Sequence, residues 1–127
     1  MNRYSGVRSN DAYYKNLQSG IISKRRRQAY EYLARATIKL DRPATSAEVW
    51  RMIADVYPQI PQHSINPRWA ELVRHGVVQE RGTVVCSVTG MECTGWEVIE
   101  GAIAKPIGKR QGKASDIFQL TADEGEE

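Results

Sequence analysis

Cysteine is scarce in this chain, and long apolar runs are missing. The 127 residues include two cysteines, Cys86 and Cys93, whereas a disulfide framework normally needs more and a structural zinc site needs four ligands. No apolar run approaches the ~20 residues that a membrane-spanning helix requires, and the first residues lack the apolar core of a secretory signal peptide. We therefore expect a cytoplasmic protein that takes no metal or cofactor and does not enter a membrane.

Charge is distributed unevenly, although the formal net charge is only +3. Residues 1–42 hold ten Lys and Arg against three Asp and Glu, a net charge of +7. Residues 43–100 hold four against seven (net −3), and residues 101–127 hold four against five (net −1). A basic front end suits an acidic partner such as nucleic acid, whereas the acidic middle suits it less.

Hydrophobic periodicity predicts one α+β domain with an extension at each end. We expect an N-terminal extension over 1–20 with a short helix, a folded domain over 21–101, and a flexible, loop-rich tail with an acidic end over 102–127. A longer amphipathic helix is predicted over 24–40. It should end before Pro43, because proline removes a donor and disfavours helix in the residue before it.

Two further helices are predicted between Thr45 and Gly76. Thr45 and Glu48 match a capping box, and the helix after them should bury Val49, Trp50, Ile53 and Tyr57. The next helix should begin at His63 or Ser64 and end at Gly76 in a left-handed turn. Its inward side is predicted to carry Ile65, Trp69, Leu72 and Val73, and its outward side Pro67, Ala70, Glu71 and Arg74.

The hydrophobic period changes after Gly76 to that of a β-hairpin. A β-rich run over 83–88 precedes a turn signal at Thr89–Gly90. A two-residue turn there would place Cys86 opposite Cys93 in a wide, hydrogen-bonded pair, which together with a reducing cytosol favours two free thiols. Three helices followed by a hairpin predict a winged helix, with an extra short helix in front.

Candidate DNA-binding residues follow from this fold. In a helix-turn-helix the second helix enters the major groove, where Gln and Asn can read adenine and Arg can read guanine. The candidates on this helix are Gln62, His63, Ser64, Asn66, Arg68 and Arg74. Alternatives remain: Arg68 could pair with Glu71 or Glu48, and the polar residues at the leading end could simply cap the helix. His63 and His75 are more typical of solvated or capping groups than of metal ligands.

The densest positive run, here called the basic cluster, consists of Lys24, Arg25, Arg26 and Arg27. It lies at a predicted helix N-terminus, where cations are slightly unfavourable, whereas phosphates would attract it. The alternative is a solvated face that keeps the protein soluble. The predicted wing carries no Lys or Arg between Arg81 and Lys105, which argues against a strong contact between wing and DNA.

Several motifs combine into a larger pattern after a Tyr-rich opening. They are Thr45-Ser46-Ala47-Glu48, Pro67-Arg68-Trp69-Ala70-Glu71-Leu72 leading to Gly76-Val77-Val78, Cys86-Ser87-Val88-Thr89-Gly90, and Trp96. This pattern resembles small phage and prophage winged-helix proteins over about two thirds of the chain. Their broader relatives look like transcription regulators of the multiple-antibiotic-resistance-regulator type. The resemblance implies a winged helix and DNA binding.

The sequence is consistent with two functions. The first is a small, phage-encoded protein that binds double-stranded DNA in the cytoplasm of a bacterial host and regulates transcription or replication. The alternative is a winged helix that binds protein and inhibits or redirects a host or defence enzyme. Catalysis is not expected, because the sequence offers no nucleophile–base constellation, phosphate-binding glycine loop or metal-ligand spacing. A homodimer is a further alternative, since palindromic DNA sites usually need a dimer.

Overall fold

The computed structural model describes Tyr4 and residues 6–107. Within them the chain forms four α-helices and two strands. In chain order these are α1 (Asp11–Gln18), α2 (Lys24–Leu40), α3 (Ser46–Val56), α4 (Arg68–His75), β1 (Val78–Val85) and β2 (Glu92–Val98). The described part is therefore α+β, and the order of its elements is compatible with a winged helix. Of the predicted tail, residues 108–127 lie outside the described residues.

Helix α2 forms the centre of the molecule and has the predicted bounds. The sequence spacing predicts an inward stripe of Ala29, Tyr30, Leu33, Ala36, Thr37 and Leu40. All of these are buried except Leu40, which is half-buried. The helix begins after Ser23 and ends where Asp41 takes a left-handed conformation, with φ 55°. Helices α3 and α4 and strand β2 all contact α2, so the core lies between α2 and these elements.

Helix α3 begins with the predicted capping box. The Thr45 hydroxyl accepts from the Glu48 N–H at 3.3 Å, and the Glu48 carboxylate accepts from the Thr45 N–H at 2.9 Å. Val49 and Ile53 are fully buried, as predicted. The predicted burial of Tyr57 is wrong: it is 38% exposed, because α3 ends at Val56 and Tyr57 leaves the helical conformation.

Helix α4 is shorter than predicted. The segment Gln62–Ser64 forms a separate 3-10 turn, and α4 begins only at Arg68, after Pro67. A proline suits the start of a helix because its missing N–H would have no partner there. The predicted stop is confirmed, since Gly76 takes a left-handed conformation with φ 82°.

The buried side of α4 is rotated relative to the prediction. Ile65, Trp69 and Leu72 are buried as predicted, but Val73 is 43% exposed and Glu71 is buried. The reason is that α2 packs against the flank of α4 that carries Arg68, Glu71 and His75, all of which are buried. The outward placement of Glu71 and the inward placement of Val73 are therefore wrong.

The hairpin ends in a longer loop than predicted. Cys86 donates its N–H to the Met91 carbonyl at 2.9 Å, while Cys93 pairs with Val84. The predicted Cys86–Cys93 pair is therefore wrong, although both cysteines are free thiols, as expected. The register changes because the strand ends before Ser87. The N–H and hydroxyl of Ser87 instead donate to the Glu48 carboxylate at 2.7 and 2.8 Å.

An isolated β-bridge attaches the hairpin to the segment between α2 and α3. Ala44 and Trp96 exchange both backbone hydrogen bonds, at 3.0 and 2.8 Å. Gly95 lies against Pro43 so closely that a Cβ atom at residue 95 would be 2.8 Å from the Pro43 Cβ. Trp96 also stacks on Trp69, with ring centroids 6.0 Å apart. These contacts hold the hairpin beside α4.

Candidate nucleic-acid interface

The basic cluster occupies the first turn of α2. Lys24 is exposed, and the three arginines after it are half-buried. Arg25 donates to the Gln28 side-chain oxygen at 2.7 Å, and Arg26 donates from Nε to the Glu71 carboxylate at 2.8 Å. Within the described part of the chain, Lys24, Arg25 and Arg27 have no carboxylate partner. Three positive charges at this helix start are therefore not compensated by any carboxylate of the described residues.

Folding energetics do not explain these three charges. The first turn of α2 contains no acidic residue, and the positive end of the helix dipole disfavours cations there by roughly 0.3–1 kcal/mol each. An anion bound at this end would interact favourably both with the side chains and with the helix dipole. The arrangement is thus suited to an anionic ligand rather than to the isolated fold.

Glu71 connects the basic cluster to α4. Its carboxylate pairs with Arg26 at 2.8 Å and with Arg68 at 3.1 Å. Arg68 is only 1% exposed, so its predicted position on the groove-facing side is wrong. Its side chain lies on the flank that α2 covers, and the predicted alternative, a pair with Glu71, is the one observed. Arg26, Arg68 and Glu71 therefore form an ion-paired group, and neither arginine belongs to the exposed surface.

The outward side of α4 is nearly neutral. Its exposed residues, together with the two that precede the helix, are Asn66, Pro67, Ala70, Val73 and Arg74. At the leading end His63 is exposed, whereas Gln62 and Ser64 are half-buried. The Asn66 side-chain oxygen accepts from the Ser46 hydroxyl. The polar candidate residues therefore lie together before the N-terminus of α4, and Arg74 is a cation near its C-terminus.

Two grooves flank the connection between α3 and α4. The first, here called the basic groove, has a volume of about 370 Å³ and lies between Lys24 and Arg25 on one side and Tyr57, Ile60 and Pro61 on the other. The second, the neutral groove, has a volume of about 350 Å³ and adjoins the hairpin. Its lining includes Ser46, Gln62, Asn66, Thr94 and Trp96. No charged side chain lines the neutral groove among the residues described.

His75, the last residue of α4, is hydrogen-bonded to Lys105 in the segment after the hairpin. Its Nδ1 lies 2.6 Å from the Lys105 carbonyl, and the Lys105 N–H donates to the His75 carbonyl at 2.9 Å. Because a carbonyl can only accept, Nδ1 carries the proton and Nε2 is left buried without a partner among the described residues. The prediction of a solvated or capping histidine is wrong for His75.

Burial lowers the pKa of His75, and the nearby charges of Arg26 and Arg74 lower it further, against the opposing effects of the Lys105 carbonyl and Glu71. The folded protein therefore favours the neutral ring. Its contribution to stability is complete above the unfolded-state pKa of about 6.5 and is lost as pH falls from there towards the folded-state pKa. We expect the free energy of unfolding to decrease between about pH 7.5 and about pH 5.5 in urea titrations.

Two variants isolate this effect. His75→Gln should remove most of the pH dependence in that interval, whereas His63→Gln, at an exposed position, should leave it intact. Glu48 does not interfere, because its contribution is lost only as pH falls below its ordinary pKa of 4.5 towards about 2. Equal pH dependence in His75→Gln and the unchanged chain would contradict the assignment.

Glu48 ties the hairpin to α3. Besides Thr45 and Ser87, it binds Arg42, which donates two hydrogen bonds at 3.0 and 2.6 Å. Burial raises the pKa of Glu48, but Arg42 and the hydrogen bonds from Ser87 and Thr45 outweigh it and lower that pKa to about 2. The predicted alternative of an Arg68–Glu48 pair is therefore not observed, since Arg42 takes that place.

Cys86 lies beside this network, fully buried. It accepts a hydrogen bond from the Thr45 hydroxyl at 3.1 Å. Burial raises the pKa of the Cys86 thiol, but hydrogen bonds from Thr45, Thr89 and Val88 outweigh it, so the pKa lies below its usual value. The loop around it exposes Val85, Val88 and Met91 together with the uncharged residues Ser87, Thr89 and Gly90. The end of the hairpin thus offers no cation to a phosphate among the described residues.

The described residues contain neither a helix long and apolar enough to cross a bilayer nor a group of three or more His, Cys, Asp or Glu side chains able to hold a metal ion. The relation to phage proteins remains a prediction from sequence motifs. Comparisons of the chain with models of protein families, with curated proteins and with solved structures find no match.

Proposed function

We propose that this chain is a winged-helix protein that binds double-stranded DNA through the basic cluster and the outward side of α4. The observation that carries the proposal is the trio Lys24, Arg25 and Arg27, which has no carboxylate partner within the described residues. Each phosphate that such a cation neutralises releases counterions from the nucleic acid, which makes binding favourable.

The layout supports a winged helix in particular. Helices α2, α3 and α4 precede the hairpin, and the Ala44–Trp96 bridge adds a short third strand position between α2 and α3. In this arrangement α4 would enter the major groove, and the basic cluster at the start of α2 would contact the phosphates of the DNA beside it. The Arg26–Glu71 ion pair joins the start of α2 to α4, so both elements can face one duplex.

The proposed contacts differ between the two elements. The phosphates of the DNA backbone contact Lys24, Arg25 and Arg27, which fix the position of the duplex. The base edges are approached by the polar residues before α4, which are Gln62, His63, Ser64 and Asn66. Arg74 supplies a cation near the end of α4. Lys105 adds another, because its ammonium group lies over Gly76, where a Cβ atom would be 3.8 Å from Nζ. Arg68 has no part in this surface, because it is buried.

The test is the affinity for a random duplex at low salt, measured by fluorescence anisotropy. Replacing Lys24, Arg25 and Arg27 with glutamine should weaken binding by about 10- to 100-fold. Arg26 is left unchanged, since it pairs with Glu71. No binding by the unchanged chain at low salt would remove the proposal.

A matched control carries the same change in net charge elsewhere. Lys15, Lys39 and Arg51 are exposed cations on α1, α2 and α3, and none of them lines the basic groove. Their triple glutamine variant should bind nearly as well as the unchanged chain. Equal losses in both triple variants would show that only total charge matters, which would contradict a defined surface.

The biological role rests on the motif resemblance alone. From it we propose a phage-encoded regulator of transcription or replication that acts in the cytoplasm of a bacterial host. Protection of one genomic region in a footprint, at a salt concentration where random duplex is released, would support regulation. Uniform coverage of DNA would point to a role without a specific site.

A second candidate is a protein partner, such as a host or defence enzyme that the chain would inhibit or redirect. The observation that favours it is the apolar outward side of α4, where Pro67, Ala70 and Val73 are exposed. A surface meant for DNA normally carries more cations. Affinity capture from host lysate with the unchanged chain and with Ala70→Glu/Val73→Glu tests it. Recovery of DNA without a stoichiometric protein would exclude this candidate.

A further inference from the structure

The basic groove has two chemically different walls. Lys24 and Arg25, with Gln28, form the basic wall. The other, here called the apolar wall, consists of Tyr57, Ile60 and Pro61 and also carries Gln59. Among the described residues no carboxylate lines it. Its volume of about 370 Å³ falls within the range of small-molecule sites, roughly 300–1,000 Å³. The groove therefore suits a ligand that is anionic on one side and flat and apolar on the other.

The apolar wall is held rigidly. Ile60 is buried at the base of the wall, and its N–H donates to the Tyr57 carbonyl at 3.0 Å. The Ile60 carbonyl in turn accepts from the Trp50 indole N–H at 2.9 Å. The backbone of the wall is thus fixed before any ligand arrives, which lowers the entropic cost of binding.

Tyr57 is the one aromatic side chain that lines this groove among the described residues. It is 38% exposed, and nothing in the described part of the chain accepts from or donates to its hydroxyl. An exposed ring beside two cations is the combination with which proteins bind single-stranded nucleic acid, because bases stack on the ring while the cations follow the backbone.

We propose that the basic groove holds one nucleotide of a single-stranded segment, with its phosphate at Lys24 and Arg25 and its base on Tyr57. This inference rests on the proposed function and extends it. The bases of a blunt duplex are stacked inside and cannot reach Tyr57, whereas those of an extension are free to stack on it. The protein then binds a duplex with a single-stranded extension more tightly than a blunt duplex.

The burial of Arg68 limits how the start of α4 can read bases in a duplex. Without Arg68, the cations of the proposed surface lie at the start of α2 and near the end of α4 rather than at the leading end of α4. A bidentate contact between arginine and guanine is the commonest specific contact in the major groove, and the leading end of α4 cannot make one. Stacking at Tyr57 supplies an interaction that the duplex surface lacks.

The experiment compares two fluorescent probes with the full chain: a blunt duplex and the same duplex with a short single-stranded extension. The unchanged chain should prefer the extended probe by about 5- to 100-fold, the expected effect of one stacked base. Tyr57→Ala should abolish this preference without altering the affinity for the blunt duplex. Tyr57→Phe should keep it, since the ring remains.

Controls separate stacking from other effects. Tyr14, a more exposed tyrosine on α1, provides a matched variant, and Tyr14→Ala should keep the preference. An acidic peptide of the same charge as the extension should compete poorly for the groove. Competition equal to that of the free extension strand would show that charge alone is recognised and would overturn the proposal.

The outcomes also separate this inference from the proposed function. Equal affinity for the two probes, or an equal loss for both in Tyr57→Ala, would overturn the inference and leave duplex binding in place. Failure to bind either probe at low salt would remove the proposed function itself. A circular-dichroism melt of each variant establishes that it is folded before binding is measured.

Discussion

Replacing Glu71 with glutamine is expected to lower the free energy of unfolding by about 3–5 kcal/mol. The variant keeps the shape of the side chain but removes the charge that Arg26 and Arg68 share, at 2.8 and 3.1 Å. Arg68 is 1% exposed, so its guanidinium would stay buried after losing the carboxylate that pairs with it at 3.1 Å. Breaking a buried pair in this way costs far more than breaking an exposed one. Urea unfolding at neutral pH measures the loss.

The more accessible pair Glu31–Arg35 provides the control. These residues lie four apart on α2, with 31% and 38% of their side chains exposed. Glu31→Gln should therefore cost only about 0–1 kcal/mol. Adding Arg68→Met to Glu71→Gln should recover part of the loss, because an apolar side chain replaces a buried guanidinium that has lost its Glu71 partner. A Glu71→Gln loss no larger than that of Glu31→Gln would contradict the role given to the ion-paired group.

Replacing Trp69 with alanine should cost about 3–5 kcal/mol of unfolding free energy. Trp69 is 2% exposed and stacks on Trp96, with an interplanar angle of 19°. Truncation would leave a large cavity between α4 and the hairpin and would remove the ring contact that holds them together. Denaturant titration followed by circular dichroism gives the loss independently of tryptophan fluorescence.

Trp69→Phe separates packing from hydrogen bonding. The indole Nε1 of Trp69 is buried without a partner among the described residues, so phenylalanine removes a polar group that gains nothing from its burial. We expect Trp69→Phe to lose less than half as much as Trp69→Ala. A nearly neutral Trp69→Ala would mean that the inward side of α4 is misassigned.

Local signals in the sequence were sufficient for most helix boundaries. The capping box at Thr45 and Glu48, the left-handed stop at Gly76 and the bounds of α2 were predicted, because each depends on residues within one or two turns. The start of α4 was placed too early. The polar residues His63 and Ser64 have the composition of helix caps, yet the helix begins only after Pro67.

Long-range contacts account for the other errors. Arg26 and Glu71 are 45 residues apart in sequence, and their pairing turns the charged flank of α4 inwards. Ser87 is drawn towards Glu48, 39 residues away, which changes the hairpin register. His75 binds Lys105 across 30 residues. No spacing rule predicts such partners. The fold therefore removes Arg26 and Arg68 from the predicted site and adds Tyr57 and Lys105.

The salt dependence of duplex binding tests the central claim most directly. For the unchanged chain, the logarithm of the association constant should fall linearly with the logarithm of the salt concentration. The variant with Lys24, Arg25 and Arg27 replaced by glutamine should have a slope smaller in magnitude by about 0.9 per lost phosphate contact, or about 2.7 in all. The same slope in both proteins would contradict the claim that the start of α2 binds phosphates.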